Sequence, residues 1–88
     1  MKTFADLIFV DMQPPTWEIM KAVYMFDNGY GISVLCGAGV SDYTDDLHPY
    51  TAALLSSKGA YVRNTDRYKM TENDVSNFMK EIQELKEI

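Results

Sequence analysis

The sequence predicts an α+β domain: an antiparallel sheet of four to five strands with one C-terminal α-helix packed on one face. Two β-prone runs, 22–26 and 30–36, flank Asn28-Gly29, a residue pair that favours a tight hairpin turn. Two further runs, 50–56 and 60–63, flank Lys58-Gly59 in the same way. From Thr71 onward the apolar period lengthens from two residues to three and four, the signature of an amphipathic helix. A hydrophobic content of 47% over 88 residues supports one packed domain. At this size a single core confers modest stability, which self-association would reinforce.

In chain order, Thr3 is placed to cap a helical turn ahead of a first strand, Leu7 to Asp11. Gln13-Pro14-Pro15-Thr16 reads as a stiff connector, because consecutive prolines favour extended backbone and cannot donate to a sheet ladder. With Asn28 and Gly29 as the central pair of a two-residue turn, Asp27 faces Tyr30, Met25 faces Ile32 and Val23 faces Val34. One sheet face then carries Val23, Met25, Ile32, Val34 and Cys36, and the other Ala22, Tyr24, Phe26, Ser33 and Leu35. The stretch 37–49, rich in Gly, Asp, Ser and Thr, reads as a long irregular loop. A turn around Lys58-Gly59 sets Leu55 against Val62 and Ser56 against Tyr61, which assigns Ala53, Leu55 and Val62 to the core face. The helix presents Val75, Phe78, Met79, Ile82 and Leu85, with Ile88 extending the stripe. Thr71 and Asp74 stand at capping-box spacing.

Both sheet faces in this register are apolar, yet the chain offers one long helix to cover them. If the helix lies over Val23, Ile32, Val34, Leu55 and Val62, the face bearing Tyr24, Phe26 and Leu35 must be shielded otherwise. Either the first strand and the Pro-Pro segment fold over it, or a second molecule does. Tyr24, Phe26, Tyr30 and Leu35 are therefore candidate partner-binding residues, and a homodimer or small homo-oligomer is expected.

Thirteen acidic against eight basic residues give a net charge of −5, which disfavours nucleic acid and anionic lipid and favours a basic partner surface. Cys36 is the only cysteine, so no internal disulfide forms, and the reading is of a small buried hydrophobe in a reducing cytoplasm. No apolar stretch approaches a membrane span, and the amino-terminal residues do not read as a secretion signal.

Asp42, Asp45, Asp46 and His48 cluster in the 37–49 loop. They match no closed metal site, so a metal-dependent enzyme is only a minor alternative and a solvated, partner-facing acidic loop the preferred reading. Gly37-Ala38-Gly39-Val40-Ser41 resembles, over these five residues alone, the Gly-Ala-Gly-x-Ser turn with which sirtuins hold a dinucleotide. No helix pattern follows it, which favours a plain loop. Gly37 and Gly39, with Arg63 and Arg67 from the one tight basic group, nonetheless define an alternative site for a nucleotide or similar anion at a subunit boundary. No serine elbow, Cys-His pair or pocketed carboxylate pair is evident, so neither catalytic residues nor a cofactor are assigned.

Phe26-Asp-Asn-Gly-Tyr-Gly-Ile-Ser-Val34, followed by Tyr50-Thr-Ala-Ala-Leu-Leu55 and Met70-Thr-Glu-Asn-Asp-Val75, resembles small accessory proteins encoded by tailed bacteriophages. The resemblance spans most of the chain and departs from the group at Pro14 to Trp17 and in the acidic loop. It implies residence in the bacterial cytoplasm during infection or lysogeny. It also implies a gene class that includes inhibitors of host defence or host enzymes, and it supplies no catalytic residue. The expectation is a non-enzymatic protein that binds and blocks a bacterial host protein.

Overall fold

The computed structural model describes residues 1–12 and 18–86. The readings of Gln13 to Thr16 as a stiff connector and of Ile88 as part of the helix stripe lie outside the described residues. Five antiparallel strands, β1 (Val10–Asp11), β2 (Met20–Met25), β3 (Gly31–Cys36), β4 (Tyr50–Leu55) and β5 (Arg67–Met70), follow one another across a single sheet in chain order. The helix α1 (Glu72–Gln83) packs against one face of that sheet. The fold class is the one the sequence predicts.

Both hairpins differ from the sequence reading by one residue, for the same reason. The backbone N–H of Phe26 donates to Tyr30 O at 2.7 Å, and that of Gly29 to Phe26 O at 3.1 Å, so the loop holds three residues. Gly29 alone adopts positive φ, at 93°. This is a type I turn closed by a left-handed glycine, which needs one permissive residue where the two-residue turn needs two. Around Gly59 (φ 75°) the pattern repeats: Ser56 N–H donates to Ala60 O at 2.8 Å, and Leu55 pairs with Tyr61.

A one-residue slip turns every side chain of the shifted strand to the opposite face. In β2–β3, Tyr24 stands opposite Ile32 and Ala22 opposite Val34, where the sequence reading set Met25 and Val23. Ala22, Tyr24 and Phe26 therefore join Ile32 and Val34 on the helix side, and Val23 and Met25 turn away with Ser33 and Leu35. In β3–β4, Ala52 and Leu54 face the helix, while Ala53 and Leu55 face away from it.

The core lies between sheet and helix: Phe26, Ile32, Val34, Ala52 and Met70 against Val75, Phe78, Met79 and Ile82. The helix starts as its sequence requires. Asp74 N–H donates to Thr71 Oγ1 at 3.1 Å, and Thr71 N–H to Asp74 Oδ2 at 2.9 Å, satisfying two amides the helix itself leaves unpaired. At the other end Asn28, freed from the left-handed conformation, donates through Nδ2 to Ile82 O at 2.7 Å and Leu85 O at 3.2 Å. Leu85 lies beyond the helix end and is 42% exposed.

The first strand shortens to two residues, preceded by a 3-10 turn at Phe4–Asp6 in which Thr3 N–H donates to Asp6 Oδ2 at 2.8 Å. The fifth strand is not the run 60–63, which contributes an isolated bridge at Tyr61, but Arg67–Met70. Its pairing shifts by one residue between Tyr50↔Met70 and Ala52↔Arg67, so Tyr68 and Lys69 together oppose Thr51. Lys69 takes φ 53° in that bulge, and Thr51 Oγ1 donates to Arg67 O at 2.8 Å.

Candidate interaction surfaces

The face of the sheet away from α1 divides in two. Over β3 and β4 the segment 56–66 folds back across it: Tyr61 Oη lies 3.2 Å from Ser33 Oγ, and Val62 N–H donates to Leu54 O at 3.0 Å. Ser33, Ala53 and Leu55 are buried there. Beside this strap lies a cleft of about 470 Å³ walled by Leu35, Thr51, Tyr61, Arg63, Asn64 and Asp66. Arg63 and Asp66 both line it, and among the described residues neither is in a salt bridge.

Over β1 and β2 no described residue covers the same face. Val10 stands opposite Lys21, and Met12 N–H donates to Ile19 O at 3.0 Å, so Val10, Met12, Ile19, Lys21, Val23 and Met25 share it. Ile8 alternates with the core-packed Leu7 and Phe9, is 80% exposed, and continues the row. Val10 is 59% and Val23 51% exposed, unusual values for neighbouring apolar strand residues. Leu35 keeps the face assigned to it from sequence. Tyr24 and Phe26 do not: their rings lie 5.4 Å apart on the helix side, and Phe26 is only 7% exposed. Tyr30 is half-buried against the same core.

The acidic loop is more ordered than its composition suggests. Residues 38–43 form 3-10 turns broken at Val40, whose side chain is buried. Gly37 (φ 110°) fits against the chain at Glu18, where a Cβ would overlap Glu18 O, and Gly39 N–H donates to that same carbonyl at 3.3 Å. The two glycines thus join the loop to the start of β2. Asp45 closes its own turn, its Oδ1 accepting from the N–H groups of Leu47 and His48 at 3.0 and 2.7 Å and lying 2.8 Å from His48 Nδ1. That His48 contact, with the two amides, holds the Asp45 carboxyl below its ordinary pKa. Asp42 and Asp46 are exposed.

The sequence reading missed what stands beside these acids. Tyr43, at the end of the 3-10 segment, stacks on Tyr68 of β5 with ring centroids 5.0 Å apart and planes at 29°, and both rings are about half exposed. The pairing depends on the bulge that positions Tyr68, so no local sequence signal reports it.

The residues of the alternative anion site are not assembled into one pocket. Arg67 binds Glu81 through two contacts of 3.0 and 2.9 Å and lies 4.0 Å over the Phe78 ring, while Arg63 lines the cleft beside the strap. Among the described residues no group of three or more His, Cys, Asp or Glu side chains is arranged to hold a metal ion. Burial pushes the Cys36 thiol pKa up, the opposite of what activates a nucleophile. Among the described residues no helix is long and apolar enough to cross a membrane. No family model, curated protein or solved structure gives a significant match to the chain.

Proposed function

We propose that the protein is a non-enzymatic, phage-type accessory protein that binds a bacterial host protein in the cytoplasm and blocks it. The observation that supports this reading is the half-exposed stack of Tyr43, in the acidic loop that also carries the exposed Asp42 and Asp46, on Tyr68 of β5. Tyrosines held rigid by a neighbour lose little entropy on docking and are enriched at interface hot spots. Exposed carboxylates, on a chain of net charge −5, speed encounter with a basic surface. The Tyr24–Phe26 pair, packed on the helix side, has no part in this contact.

The test compares three tagged forms in bacterial lysate by native mass spectrometry: wild type, the double variant Tyr43→Ser/Tyr68→Ser, and the double variant Asp42→Asn/Asp46→Asn. Wild type carries one host protein; the tyrosine variant loses it with helical content unchanged, and the aspartate variant binds it more slowly and with less salt dependence. Equal capture by all three forms rejects the surface. Capture of nothing by wild type rejects the function.

The cleft supports a second reading, sequestration of a small anion, because Arg63, in no salt bridge among the described residues, lines a space of the size small ligands occupy. A nucleotide that binds only the folded chain raises its melting temperature, and Arg63→Gln removes the rise. No shift across a nucleotide panel rejects it.

A further inference from the structure

We infer that the β1–β2 face, open among the described residues, is a docking surface for a second copy of this chain, forming a face-to-face dimer separate from the Tyr43–Tyr68 surface. Ile8, Val10, Met12, Val23, Met25 and Tyr61 are each 40% exposed or more. Two such faces would remove on the order of 1,200 Å² of surface from water, above the roughly 1,000 Å² a specific interface must clear.

Electrostatics select the occupant. The strands of this face carry one charged side chain, Lys21, and its ammonium sits 5.6 Å over the Tyr61 ring of the same molecule. Asp11 pairs with Met20 and so points to the opposite face. Among the described residues the other carboxylates lie on the helix, in loops and at turns, so their placement sets no acid against acid where two copies meet. A partner chosen by charge would find little here to recognise. An identical row, apolar but for the Lys21 that rests on Tyr61, offers the same surface in return, as a two-fold contact requires. The short β1 also leaves this side of the sheet narrow, and apposition of a second sheet gives it the layer that α1 gives the other side.

The experiment measures mass in solution by sedimentation across about 1 to 200 µM for wild type, Val23→Glu, Val23→Arg and an equimolar mixture of the two variants. Wild type is a dimer whose dissociation constant rises at least tenfold in either variant, far-UV circular dichroism remaining unchanged. The mixture recovers dimer, because opposite charges then face each other across the interface. If Val23→Glu does not fold, Val10→Glu at the sheet edge replaces it. A wild-type monomer at every concentration overturns the inference, as does a dimer indifferent to these substitutions. So does a host protein, rather than a second copy, displaced from the face by Val23→Glu. The Tyr43→Ser/Tyr68→Ser variant stays dimeric, so loss of host binding and loss of the dimer are read separately.

Discussion

Glycines that look alike in the sequence have different work in the structure. Gly37 and Gly59 both take positive φ, but a Cβ at Gly37 would overlap Glu18 O, whereas nothing lies within 4 Å of one at Gly59. Gly59→Ala therefore meets left-handed backbone strain alone, about 1 kcal/mol. Gly37→Ala adds displacement of the Glu18 backbone that receives the loop, for a total of about 3 kcal/mol. Urea unfolding of the two variants measures the difference, and equal losses would show that the loop yields freely at Glu18. Asn28 illustrates the same point for a turn residue. Once Gly29 supplies the only left-handed position, the Asn28 amide is free to bind the carbonyls at the end of α1. The hairpin tip is thereby tied to the helix.

At the scale of elements, α1 was legible because its evidence is local. Thr71, Asp74 and the stripe Val75, Phe78, Met79, Ile82 lie within a dozen residues, and each does what its spacing implies. The hairpins were legible as hairpins but not in register, because an Asn-Gly or Lys-Gly pair fits both a two-residue turn and a three-residue turn with a glycine bulge. That single ambiguity moved Tyr24 and Phe26 from the expected open face to the core and exchanged them for Val23 and Met25. β5 was not legible because Arg67-Tyr68-Lys69-Met70 is half charged and joins the sheet through a bulge against β4. The capping box also makes a prediction about pH. Hydrogen bonds from the Thr71 N–H and hydroxyl lower the Asp74 pKa, so its contribution is complete above the ordinary aspartate value near pH 4 and fades as pH falls through the lowered one. Asp74→Asn lacks the charge at every pH. The melting temperature of wild type should exceed that of the variant at pH 7, and the gap should narrow from about pH 4 downward. A gap independent of pH would mean that the carboxylate charge contributes nothing. Glu81, lowered by Arg67, shifts in the same sense, so Asp74→Asn/Glu81→Gln should flatten the acid limb further.

The whole molecule closes on itself through its first residues. Phe4 N–H donates to Ser76 Oγ at 3.0 Å, Lys2 N–H to Gln83 Oε1 at 2.9 Å, and Gln83 Nε2 donates back to Lys2 O at 2.7 Å, so residues 81 apart in sequence are bonded. The Phe4 ring meets Tyr50 of β4 at 5.0 Å and Phe9 at 5.8 Å. The amino-terminal segment, the sheet and α1 thus share one core, and a domain of this size has no second core on which to keep part of its structure. Ile82→Ala empties a fully buried position between helix and sheet and should cost about 3 kcal/mol, and Phe4→Ala, at a half-buried ring, about 2 kcal/mol. Either loss is a large fraction of the roughly 5 kcal/mol expected of so small a domain. Because the core is shared, both variants should still unfold in one step, with helical circular dichroism and tyrosine fluorescence lost at the same urea concentration and an unchanged slope. If tyrosine fluorescence changed first in Phe4→Ala while the helix persisted, the amino-terminal segment would be an appendage to the core and not a part of it. Its apolar row at Ile8 and Val10 would then be a mobile surface, and the dimer contact would have to rest on β2 alone.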